Sequence, residues 1–307
     1  RKNRIAGDAR AKRRVMAGIN RDSMAFAVTR PTAERFVLSS RVFRGLVTVT
    51  MRNLMLVLTV LAGINLSSAA IQTKVIEYKQ GDTTLEGVLV YDDAVKTKRP
   101  GVLVVHQWMG ITDYEKKRAE MLAQLGYVAF CADIYGKGVR PTTVADAGAT
   151  SGKFKADRKL LRERVNAGLA QLKKSELVDA AKIAAIGYCF GGTTVIELAR
   201  SGAELGGVVS FHGGLDSPEP EAGKNIKCKV LALHGAVDPF VPAQDLTAFE
   251  NELKNAKVDW QLIQYGDAVH SFTDWNATGS LPGAQYNKRA DKRSWEAMKQ
   301  FFNELFR

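Results

Sequence analysis

Histidine and cysteine are scarce in this 307-residue chain, at four and three residues. None of the histidines shows the spacing of a metal cluster, and no glycine-rich phosphate cradle is present. No cofactor is therefore expected. An odd cysteine count leaves at least one thiol unpaired. Linkers rich in Pro, Gly and Ser are missing, as are internal repeats, so residues 71–307 read as one domain. The apolar run at 54–64 is too short for a spanning helix, which needs about 20 apolar residues.

A net charge of +12 would suggest nucleic acid or an anionic membrane if it lay on the folded body. It does not. Residues 1–52 hold 13 basic and three acidic residues, leaving 31 basic against 29 acidic at 71–307. The basic character belongs to a leader, which excludes nucleic acid as the expected partner. Residues 1–50 read as an upstream extension or a disordered tail, with an organellar transit peptide as the alternative. Residues 51–70 have the layout of a secretory signal peptide: Arg52, the apolar run, then Ser67, Ser68, Ala69 and Ala70. Cleavage after Ala69 or Ala70 is expected, and with it export to the periplasm or exterior.

From Ile71 onward, strand and helix patterns alternate. Residues 75–78 and 85–91 form a hairpin across Gly81 and Asp82. Continuous apolar runs at 101–106, 127–132, 183–188, 207–211 and 230–233 suit strands buried on both faces, and a further strand follows at 260–265. Helical patterns occupy 114–125, 161–172, 190–200, 242–257 and 289–306. The loops at 137–152 and 276–285 carry no regular signal. The expected fold is α/β, with a mostly parallel central sheet, helices on both faces and functional loops at the strands' carboxyl ends.

Gly187-Tyr188-Cys189-Phe190-Gly191-Gly192 falls where a strand gives way to a helix. This is the form of a nucleophile elbow, with Cys in place of Ser. A turn that tight strains the nucleophile's backbone and leaves no room for side chains at the flanking glycines. It also puts Cys189 at a helix N-terminus, where a thiolate is favoured. The bland alternative is an ordinary glycine-rich turn. Two later residues weigh against it. Asp238 follows the strand at 230–233 and His270 follows the strand at 260–265, the order that an elbow-type hydrolase requires. Singly they would be a loop-capping Asp and a surface His. His106, His212 and His234 also sit at strand ends and are assigned supporting roles. Cys131 and Cys228 lie in apolar strand runs and read as small buried hydrophobes.

These residues resemble the dienelactone hydrolase family over essentially all of 71–307. The likeness rests on 187–192, on His-Gly-Ala-Val-Asp-Pro-Phe-Val-Pro at 234–242 and on Val-His-Ser-Phe at 269–272. Gly126-Tyr127 and the segment 132–136 match further family positions. The resemblance implies an α/β-hydrolase fold with Cys189 as nucleophile, His270 as base and Asp238 as its orienting acid. It implies backbone N–H groups of Phe190 and Trp108 as the oxyanion hole. Two positions depart from the family. Gln107 stands near the nucleophile where a Glu that interacts with the thiol is frequent. Thr273-Asp274-Trp275 stands where an Arg holds the substrate carboxylate, which argues against the acidic lactone itself. Arg140 is a poor replacement for that Arg.

The expected activity is two-step acyl transfer on a small ester, lactone or thioester. A non-catalytic binding module of the same fold is the alternative, kept open by Gln107. A cysteine protease of another fold is disfavoured by the Cys, Asp, His order.

Overall fold

The computed structural model describes residues 70–307. The leader at 1–50 and, apart from Ala70, the signal peptide at 51–70 lie outside the described residues. The chain opens with a hairpin, β1 (Ile71–Gln80) and β2 (Thr83–Asp92), paired along its whole length from Ile71↔Asp92 to Gln80↔Thr83. Gly81 turns it with φ +54°, a left-handed conformation that glycine adopts without a Cβ penalty.

Six parallel strands follow: β3 (Arg99–Val105), β4 (Val128–Ala132), β5 (Val178–Tyr188), β6 (Gly207–Phe211), β7 (Lys229–Gly235) and β8 (Trp260–Tyr265). The sheet order is β1-β2-β4-β3-β5-β6-β7-β8. The hairpin joins antiparallel through β2 and β4, and every later pairing is parallel.

The helices are α1 (Asp113–Gln124), α2 (Val144–Ala156), α3 (Arg158–Lys173), α4 (Phe190–Arg200), α5 (Ala243–Asn255) and α6 (Lys288–Leu305). They cover both faces, and the strand period decides what each face packs. Leu103, Val105, Phe130 and Val208 meet Leu161, Leu169 and Leu172 of α3 and Ile196 of α4 in one core. Val102, Val104, Ala129 and Val209 meet Leu122 of α1 and Met298 and Phe302 of α6 in the other. Neighbouring residues of β3 thus serve opposite cores, as a period of two requires. Each large apolar side chain so buried contributes about 1.5–3 kcal/mol. Cys131 and Cys228 are buried in these cores as expected.

One expectation fails. Most of 137–152 is not a loop, because α2 begins at Val144, with Thr143 Oγ1 accepting from the Asp146 N–H (3.1 Å). Its inner face is only Ala147, Ser151 and Phe154. Helical spacing is there, but small and polar residues carry it, so the hydrophobic pattern is weak. Residues 276–285 do remain irregular, apart from two isolated bridges, His270↔Ala284 and Thr278↔Gln285.

Candidate active site

Cys189 sits between β5 and α4 with φ +53° and ψ −116°, a strained backbone for a residue with a side chain. The glycines around it are obligatory. A Cβ at Gly187 would lie 2.0 Å from the Gly191 carbonyl oxygen, and one at Gly191 would lie 2.2 Å from that of Val105. The turn is therefore as tight as the sequence pattern demands, and it presses the elbow against the end of β3.

Asp238 and His270 follow β7 and β8 and come together with Cys189 at the same sheet edge. His270 Nε2 lies 3.0 Å from Cys189 Sγ, and its Nδ1 lies 2.8 Å from Asp238 Oδ2. The other carboxylate oxygen of Asp238 accepts from the Phe240 N–H at 2.9 Å. Both oxygens are thus engaged, and the imidazole orientation is set. The loop at 276–285 clamps the His270 backbone: the His270 N–H donates to Gly283 O and the Gln285 N–H to His270 O, both at 3.0 Å.

Burial works to push the Cys189 thiol up. The charge and hydrogen bond of His270, then Lys155 and the Phe190 N–H, outweigh it, and the thiol is held below its ordinary value. For His270, burial works downward, but the Cys189 thiolate and Asp238 raise it to about 10. Both shifts favour a thiolate–imidazolium pair over a neutral one. Lys155, on α2, escaped the sequence reading because its helix did.

Gln107 and Trp108 follow β3, beside the elbow. The Gln107 side-chain amide donates to Asp274 Oδ2 (3.0 Å), in the loop after His270. The side chain hydrogen-bonded to the sulfur is that of His270. The backbone of this segment is held on three sides. The Gln107 N–H donates to Glu115 (3.0 Å), the Tyr135 hydroxyl donates to Trp108 O (2.9 Å), and Gln107 O lies 2.6 Å from His106 Nδ1. His106 Nε2 accepts from the Ile134 N–H (3.2 Å), so its Nδ1 carries the proton and donates to Gln107 O. Glu115 also accepts from the N–H of Thr112, whose hydroxyl caps α1. Thr-x-x-Glu ahead of a helix is a capping-box pattern, a sequence signal that could have found Glu115. Arg140 donates to the Gly136 and Val139 carbonyls and is already engaged. Among the described residues, no cluster is placed to hold a metal ion.

Comparison with known proteins places the chain among relatives. A structure described as a dienelactone hydrolase-like promiscuous phosphotriesterase from metagenomic libraries is 39% identical, covers 78% of this chain and 100% of its own, and superposes with a TM-score of 0.74. An uncharacterized protein of Caenorhabditis elegans is 35% identical over 149 residues, 48% of this chain and 94% of that protein. A Bradyrhizobium protein named "Probable 2-oxo-3-(5-oxofuran-2-ylidene)propanoate lactonase" is 26% identical over 215 residues, 66% of this chain and 86% of its own. The dienelactone hydrolase family model matches residues 85–306, and the chain belongs to that family.

Proposed function

We propose that the chain is a cysteine-dependent hydrolase of small carboxylic esters and lactones, acting by acyl transfer through Cys189. The observation that carries this reading is the Cys189–His270–Asp238 chain of 3.0 and 2.8 Å contacts on a strained elbow. The lactonase name of the Bradyrhizobium relative supports the substrate class.

The thiolate attacks the carbonyl carbon, and the Phe190 and Trp108 N–H groups receive the oxyanion. As the C–O bond breaks, His270 gives its Nε2 proton to the leaving alcohol. The neutral imidazole then takes a proton from water, whose oxygen attacks the thioester. The C–S bond breaks, the acid departs, and the thiolate–imidazolium pair is restored. Asp238 holds the imidazole throughout. Gln107 has no role in removing the thiol proton, since an amide cannot accept it. The 39% identity to the promiscuous phosphotriesterase, over the whole of that protein's length, adds phosphotriesters as a second substrate class for the same thiolate.

The test compares residues 71–307, with and without Cys189→Ala, on aryl esters, enol-lactones, thioesters and an aryl phosphotriester. Hydrolysis lost in the mutant supports the reading, and equal hydrolysis in both proteins sinks it. If neither turns over, pH-dependent labelling of Cys189 separates a wrong panel from a binding module, which needs no unusually reactive thiol.

Export through residues 51–70 is part of the proposal, as is the lack of a nucleic-acid partner. Among the described residues no helix is long and apolar enough to cross a membrane. A native N-terminus near Ile71, read by sequencing, would support signal cleavage; one upstream of residue 51 would count against it.

A further inference from the structure

His212 is fully buried, stands directly after β6 and has φ +41°. A histidine in the left-handed region is uncommon, and here the strain coincides with an unusual pair of contacts. The Cys189 N–H donates to Phe211 O (3.0 Å) and also points at His212 Nδ1 (3.1 Å). A backbone N–H can only donate, so Nδ1 is an acceptor and the ring proton sits on Nε2. Nε2 lies 2.7 Å from Thr273 Oγ1, to which it donates.

Thr273 is three residues beyond His270 and is itself fixed. Its hydroxyl lies 2.7 Å from the Tyr114 hydroxyl, which accepts from Arg118 Nε (3.2 Å). Its carbonyl accepts from Arg118 Nη2 (2.9 Å), and Arg118 is paired with Asp291 of α6. The His212 ring packs edge-on against His270 and Phe272, with centroids 5.2 and 5.1 Å away.

We propose that His212 is a positioning residue, a neutral Nε2-protonated imidazole that ties the nucleophile's backbone to the loop bearing the base and so sets the Cys189–His270 distance. The inference rests on the proposed acyl transfer through Cys189. A second ring proton would aim an N–H at the Cys189 N–H and place a cation beside the His270 imidazolium. Burial, and then the positive charges of His270, Arg118 and His234, hold His212 well below its ordinary value. The polar chain through Thr273 and Tyr114 to Arg118 fixes the tautomer, as a fully satisfied buried network does.

The test uses the full chain with His212→Phe, His212→Asn and Thr273→Val, and Cys189→Ala as blank. Two quantities are read: kcat and KM on 4-nitrophenyl acetate, and the pH profile of Cys189 alkylation by iodoacetamide. His212→Phe should lower kcat on the order of 100-fold with KM changed less than about threefold, as a small misplacement of reacting groups does. Its alkylation midpoint should rise by about one unit. Asn tolerates the left-handed backbone and offers an acceptor to the Cys189 N–H, so His212→Asn should recover to within about tenfold of wild type. Thr273→Val, which cuts only the far tether, should cost about tenfold in kcat.

A folded His212→Phe protein with wild-type kcat and alkylation profile overturns the proposal. So does an Asn variant as damaged as the Phe variant. If His212→Phe does not fold, Thr273→Val decides: unchanged kcat and an unchanged profile overturn the proposal too. Absence of 4-nitrophenyl acetate hydrolysis in the wild-type protein would count against that substrate or the proposed reaction instead, and the alkylation profile would still decide on His212.

Discussion

Two of the buried polar networks among the described residues use the same chemistry to opposite ends. Between α3, α4 and α5, Arg200 grips Glu252 with two hydrogen bonds (2.9 and 2.6 Å) and Glu197 with a third (2.8 Å). Arg162 takes the second oxygen of Glu197 at 2.7 Å. Each carboxylate oxygen in this group has a cationic partner. At the carboxyl edge of the sheet, by contrast, the chain of contacts ends on Cys189 Sγ, whose side-chain partner among the described residues is His270. A closed ionic network holds helices together. An open one leaves the Cys189 sulfur with no second side-chain hydrogen bond among the described residues.

Breaking the open network should cost activity above all. Cys189→Ala is expected to abolish turnover and His270→Ala to reduce it by about 10²–10⁴-fold, the range general acid–base groups supply. Steady-state kinetics read the loss, with thermal melts on the same samples to show that the variants are folded. Survival of turnover in His270→Ala would remove the base assignment.

Breaking the closed network should do the reverse. Arg200→Met leaves Glu197 and Glu252 short of partners where Arg200 is fully buried, which costs about 3–5 kcal/mol. Urea unfolding measures the loss, and kcat per folded molecule should not change. The double variant with Glu252→Met should regain part of the stability, because an apolar pair carries no stranded charge.

Much of the site was legible before the fold, for physical reasons that differ by residue. Strands buried on both faces write themselves as apolar runs, which is why β3, β4 and β6 are plain in the sequence. The elbow is legible because only glycine fits beside Cys189. Asp238 and His270 follow from chain order, since each must sit after its own strand. What was hidden depends on contacts distant in sequence. The His212–Thr273 tie spans 61 residues and Arg200–Glu252 spans 52. Helix α2 was hidden by composition, and with it Lys155. Sequence alone places Gln107 only near the nucleophile, because its partner Asp274 lies 167 residues away.

The pair at the open end should also shape the pH response. Cys189, held below its ordinary 9.0, contributes stability present above that value and lost as pH falls through the depressed one. His270, raised from 6.5 to about 10, contributes stability present below 6.5 and lost as pH rises through about 10. Because each shift exists by virtue of the other's charge, the two act as one pair. Folding stability should therefore fall as pH drops through the depressed Cys189 value and as it rises through about 10. Cys189→Ala should flatten that contribution. Chemical unfolding across pH reads the difference, and identical curves would mean that no ion pair forms at rest.

The smallest effect concerns the contact between Gln107 and Asp274, which joins the segment after β3 to the segment after His270. An amide facing a carboxylate at 3.0 Å is a stable neutral–anion hydrogen bond, whereas Gln107→Glu would set two carboxylates against each other. One of them must then take up a proton or move away. A moderate loss in kcat/KM of about 3–10-fold is expected for the single change, equivalent to about 0.7–1.4 kcal/mol. Asp274→Asn added to it restores a donor and should return most of the activity. The coupling read from a double-mutant cycle should fall between about 0.5 and 3 kcal/mol, as for other residues in direct contact. Additive effects would show that the two loops are held together by something other than this hydrogen bond. In that case the open network would end at His270, and its link to β3 would run through the backbone contacts of Glu115, His106 and Tyr135 alone.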